Sequence, residues 1–157
     1  MEQSPQNPGY RKDYMTTNII AKWSLTALMA IAPAFAQNNV EATIPFDFTV
    51  GKTKMTAGAY TVRSISSGTI QLVRDDSKAS AFVFTQGVQV SKAPAGTKLV
   101  FNRYGDSYFL SQVWIAGNSL GKLLPKSKPE IEVARLAATV QQASIPANTK
   151  NTSTSTP

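Results

Sequence analysis

The sequence predicts an all-β protein: an antiparallel sandwich or barrel of about six strands with one C-terminal helix. Three observations carry this expectation. Apolar and polar residues alternate through most of residues 40–114, the period of a half-buried strand. Clusters of Gly, Asp, Ser and Lys cut that stretch into short runs. Only residues 127–143 join a helix-capping signal to a long run without Gly.

The first strand is expected in VEATIPFDFTV, where Val40, Ala42, Ile44, Phe46, Phe48 and Val50 alternate with polar residues or proline. Pro45 has no N–H to give a ladder, so this strand belongs at a sheet edge or carries a bulge. GKTKMTAG reads as a turn, followed by strands at 59–65 and 69–74 separated by SSG. SAFVFTQGVQV, residues 80–90, is apolar on both faces over Ala81 to Phe84, which predicts a central strand with Gly87 at a bulge.

The stretch FNRYGDSYF, residues 101–109, reads as a hairpin with Gly105-Asp106 as a two-residue type II′ turn, glycine taking the positive φ. This register pairs Tyr104 with Ser107, Asn102 with Phe109 and Phe101 with Leu110. It places Leu99, Phe101, Leu110 and Trp114 on a core face, with Arg103 lying on Tyr108 at its rim. Tyr104 and Phe109 fall on the other, mixed face with Asn102, Ser107 and Ser111. They are therefore the candidate binding rings, with Lys98 as the cation beside them.

Ser127 and Glu130 have capping-box spacing and Pro129 sits in the first turn, which predicts a helix over 127–143. The β domain then covers 37–126. Residues 144–157, rich in Ser, Thr and Asn, are expected to be a disordered tail.

WSLTALMAIAPAFA, residues 23–36, follows Lys22 and ends in Ala34-Phe35-Ala36, the pattern of a signal peptide cleaved between Ala36 and Gln37. Its fourteen residues fall short of the roughly twenty needed to span a bilayer, so no transmembrane span is expected in the mature form. Met15 opens a signal of ordinary length, 15–36. This marks residues 1–14 as an upstream polar segment outside the true reading frame start, the alternative being a long n-region that uses Arg11 and Lys12.

The chain has no cysteine and no histidine, which removes disulfides, thiolate and imidazole ligands, and every Ser-His or Cys-His dyad. Seven acids follow residue 36: Glu41, Asp47, Asp75, Asp76, Asp106, Glu130 and Glu132. Most sit in expected turns or in the helix's first turn, where local hydrogen bonds and the helix dipole account for them. SLGK, residues 119–122, matches the Ser-x-x-Lys of serine acyl-enzymes in four letters, but in an expected loop. The net charge of +7 favours weak attraction to polyanions, without the clustered basic run of a sequence-specific nucleic-acid binder.

The segments IPFDFTVGKTKMTAGAYTV, KLVFNRYGDSYFLSQVW and GKLLPKSKPEIEVA resemble a set of uncharacterised small exported β-rich bacterial proteins, frequent in soil bacteria. The likeness covers roughly residues 43–136 and implies a shared β fold and export, with no activity attached. In that set a proline often precedes the Ala-Gly turn, where this chain has Thr56. The expectation is a periplasmic or secreted, non-enzymatic β domain that acts by binding or as an envelope component, without cofactor or metal. Two other functions compete: a module for anionic or neutral glycans or other polyanions that uses Tyr104, Phe109 and Lys98, and a small hydrolase without histidine.

Overall fold

A computed structural model of the chain describes residues 37–137 and 139–152. The signal segment and Ala36 lie outside these residues, as do residues 153–157. The described chain is all-β, a sandwich of two sheets with one short helix. No helix among the described residues is long and apolar enough to cross a membrane.

There are more strands than the alternation suggested, because several runs are broken where the chain passes from one sheet to the other. The expected strand over 40–50 divides into β1 (Gln37–Ile44) and β2 (Phe48–Val50). Pro45 ends the first, and β2 turns into β3 (Thr53–Met55), so the segment read as a turn contains a small hairpin. The break leaves the inward row intact. Val40, Ala42, Ile44, Phe48 and Val50 are all buried in one core, because that core lies between both sheets.

β4 (Gly58–Ser66) and β5 (Thr69–Arg74) follow as an antiparallel pair. Residues 80–90 divide in the same way, into β6 (Ser80–Phe84) and β7 (Gln86–Gln89). The prediction of a central strand here is corrected: β6 is the last strand of its sheet, and Phe84, 78% exposed, points outward with Phe82. Apolar residues on both faces mean burial only when something covers the second face, and nothing among the described residues covers it.

β8 (Lys98–Tyr104) and β9 (Ser107–Trp114) form the predicted hairpin. Gly105 has φ +58° and Asp106 a negative φ, as a type II′ turn requires. Tyr104 faces Ser107, Arg103 faces Tyr108, Asn102 faces Phe109 and Phe101 faces Leu110. Beyond Phe101 a bulge at Ser111 shifts the register, so that Val100 faces Gln112 and Leu99 faces Val113. Val113 thereby takes the core position expected for Trp114. Trp114 turns to the opposite face and lies over Gly121, where a Cβ would come within 2.6 Å of the indole ring.

β10 (Leu120–Leu123), helix α1 (Lys128–Leu136), β11 (Gln141–Pro146) and β12 (Asn148–Thr152) complete the chain. The helix is shorter than predicted, and residues 144–152 of the expected disordered tail belong instead to two strands and the residue between them. β11 pairs with β8, and β12 pairs with β1. Backbone ladders need little side-chain burial, and this segment supplies a modest inward row in Ala143, Ile145 and Ala147. Thr97 and Thr149 hydroxyls meet at 2.8 Å, and Lys150 pairs with Glu41 at 3.3 Å.

The first sheet runs β12-β1-β4-β5-β6. The second runs β11-β8-β9-β10-β7, with β2 joined to β9 by a parallel bridge at Thr49 and Phe109. Both outer edges are bridged by consecutive strands, β6 to β7 on one side and β11 to β12 on the other. Phe101→Ala is expected to cost about 3–5 kcal/mol, a buried aromatic leaving a cavity. Phe84→Ala should stay within about 0.5 kcal/mol. Urea denaturation measures both, and equal losses would contradict the placement of β6 as an exposed edge.

Candidate functional site

The rings proposed as a binding platform are not available as one. Tyr104 and Phe109 are each only 5% exposed and meet edge to face at 5.9 Å. Their face of the hairpin is covered on the side of α1, whose one buried residue is Glu130, 3% exposed. Asn102 Nδ2 donates to Glu130 Oε1 at 2.8 Å, and the Tyr104 hydroxyl donates to the same oxygen at 3.2 Å. The Lys126 ammonium lies 5.9 Å from the Tyr104 ring centroid.

Ser127 caps the helix as predicted, accepting from Glu130 N. The Glu130 carboxylate, however, reaches into the sheet instead of returning to the cap. A short helix with a weak apolar stripe is thus held to the hairpin by a buried, hydrogen-bonded carboxylate. Such a group is costly when its donors are removed.

Lys98 is remote from those rings. It faces Trp114 at the opposite end of β8 from Tyr104, six residues away, which is about 20 Å along a strand. There Lys98, Lys92, Gln112 and Trp114 border a shallow surface recess, and the indole N–H is committed to Gln112 Oε1 at 2.7 Å. Arg103 lies over Tyr108 as expected, 5.4 Å from the ring centroid.

Five of the seven acidic side chains, Glu41, Asp47, Asp75, Asp76 and Glu130, have structural partners. Asp47 accepts from Ala57 N, Asp75 from Thr61, and Asp76 from Lys78 N while pairing with Arg74 at 3.3 Å. Glu41 and Asp75 border one open polar recess on the outer face of the first sheet, where Glu41 is already paired with Lys150. No group of three or more acids comes together among the described residues. Thr56, the departure from the Pro-containing pattern, accepts the Tyr60 hydroxyl at its carbonyl and Arg74 at its own hydroxyl. Burial raises the Tyr60 phenol above its usual pKa.

The Ser-x-x-Lys match does not make a dyad. Ser119 lies in the bend before β10, and the Lys122 ammonium on β10 donates to the Ser67 carbonyl instead of meeting that serine. What Lys122 does instead marks an apolar recess of the sandwich. Lys122 faces Val113 across the ladder and shares its core-facing side with Leu120 and Leu124. Between Val113, Leu120 and Lys122 on this side and Val40, Val62 and Ile70 of the first sheet lies a cleft of about 330 Å³. Leu120 hangs at its mouth, 57% exposed.

The Lys122 ammonium sits at the rim and donates to the Ser67 carbonyl at 2.9 Å. Burial pulls its pKa below the usual lysine value. Gly87, opposite Lys122 on β7, also lines the cleft, and a Cβ there would meet nothing within 4 Å. Sequence reasoning passed over Lys122 except as part of a weak motif. The available signal was the row Leu120, Lys122, Leu124, a charge where strand alternation asks for an apolar residue.

Tyr104→Phe and Asn102→Ala should each destabilise the fold by about 1.5–3 kcal/mol, the range for a hydrogen bond to a charged group. Their double mutant should exceed additivity, because both donors serve one oxygen and removing the second strips the buried carboxylate of both. Chemical denaturation of the two single variants and the pair checks this. Strict additivity would show that the shared carboxylate does not couple them. Comparisons of the chain with protein-family models, with curated proteins and with solved structures found no match.

Proposed function

We propose that the protein is an exported, non-enzymatic binding domain, periplasmic or secreted, whose ligand enters between its two sheets. The observation that carries this reading is the inter-sheet cleft with Lys122 on its core-facing side. Binding sites for small molecules are concave, mostly apolar and of about 300–1,000 Å³, with a few placed polar groups. The cleft meets that description, with apolar side chains from both sheets, and Lys122, Ser64 and Asn118 as the polar groups.

Lys122 supports a functional role because it is a poor choice for stability. A desolvated ammonium is disfavoured in the fold relative to the unfolded chain. That penalty is present in full at neutral pH, falls as pH rises through the lowered folded-state pKa, and is gone above 10.5, where the amine is neutral in both states. The reading of export rests on the signal pattern at 15–36.

Two measurements test the proposal. Mass spectrometry of the exported protein is expected to give an N-terminus at Gln37, and a mature form that retains 23–36 would overturn export. Lys122→Met is expected to hold or raise the denaturation midpoint at neutral pH. A clear loss of stability would make Lys122 a structural residue and remove the main support for a ligand site.

A further inference from the structure

Building on the binding reading above, we infer that the inter-sheet cleft takes a short unbranched aliphatic chain with an anionic head, the chain between the sheets and the head at Lys122. The cleft's size sets the chain length. At roughly 30 Å³ for a water-sized group, 330 Å³ has room for about ten non-hydrogen atoms. The sheets of a sandwich are about 10 Å apart, a gap that one layer of side chains fills, so a guest there replaces a missing core side chain. A slender chain fits such a slot.

The inner walls are apolar: Val40, Val62 and Ile70 on one side, and Val113 and Leu120 on the other. They have nothing to offer a sugar or a nucleobase along the length of the slot. Lys122 and the Ser67 carbonyl meet at one place on its rim. An ammonium has three donors, and the bond to the Ser67 carbonyl uses one of them. No acidic side chain is among the residues lining the cleft, so an anionic head meets attraction without a competing carboxylate. The mature chain, with thirteen Lys and Arg against seven acids, adds a long-range pull of the same sign.

Gly87 supplies the means of closing the site. It faces Lys122 across the ladder, and paired residues project to the same side of a sheet. Open space surrounds the position its Cβ would take. A leucine there would occupy the volume assigned to the chain of the guest.

The test is a titration of isotope-labelled exported protein with octanoate, octan-1-ol and octylammonium, read by amide NMR shifts. Octanoate is expected to move the amides of Gly87, Val113, Gly121 and Lys122, and to bind more tightly than octylammonium. Lys122→Gln should weaken octanoate about fivefold, the loss of one partly exposed ion pair, and leave octan-1-ol unchanged. Gly87→Leu should abolish the shifts with all three probes. If Gly87→Leu does not fold, the Lys122→Gln comparison decides. Equal octanoate binding with and without the lysine, with the cleft amides still shifting, would overturn the anionic head while leaving a ligand cleft in place. No shift at those amides with any probe would overturn both this inference and the binding proposal.

Discussion

The sandwich depends on one apolar layer shared by both sheets, and the rings around Phe101 are its densest part. Phe48 meets Phe101 at 5.4 Å and Tyr60 at 5.2 Å, each edge to face, so β2 links the second sheet to β4 of the first. Phe46 meets Phe101 at 5.3 Å and stacks on Tyr108 at 3.9 Å, extending the cluster to the hairpin's rim. With no cysteine to form a disulfide, burial of this kind must supply the stability, at about 25 cal/mol for each Å² of apolar surface removed from water. The positions of the other elements follow from it. Strands that contribute to the layer can change sheets, as β1 to β2 and β6 to β7 do, without moving their inward residues out of it.

The same fact explains which parts of the fold were legible in the sequence. Alternation reports which side chains face an apolar layer, and in a sandwich both sheets face the same one. Val40 to Val50 therefore reads as one strand when it is two. The turn at Gly105-Asp106 was legible because its chemistry is local. The register beyond the fourth pair was not, because the bulge at Ser111 leaves no sign in composition, and it exchanged the places of Val113 and Trp114. The last strands were missed because Ala143, Ile145 and Ala147 form a faint inward row within a polar tract. Pairing with β8 and β1 is a long-range event that local composition does not encode.

The site was less legible than the fold for a related reason. Tyr104 and Phe109 were assigned correctly to the face away from the main core, but that face is closed by a helix whose buried residue is an acid. A carboxylate in the first turn looks like a dipole partner in sequence, and only the tertiary fold turns Glu130 inward onto Asn102 and Tyr104. Lys122 is the opposite case. It sits on the inner side of its strand, where the shared layer ends, so the layer is incomplete at one place and a charge stands at its edge. Completeness elsewhere and incompleteness there are two aspects of one design. The aromatic end bears the stability, which frees the end near β7 and β10 to stay open.

Native-state hydrogen exchange, residue by residue, tests this division most directly. Amides of β4, β8 and β9 around the aromatic cluster should exchange only through global unfolding. Those of β7, β10 and residues 64–67 around the cleft should exchange through local openings of much lower free energy. Uniform global protection across β7 and β10 would contradict the account, because it would mean that the apolar layer is closed where the cleft is placed.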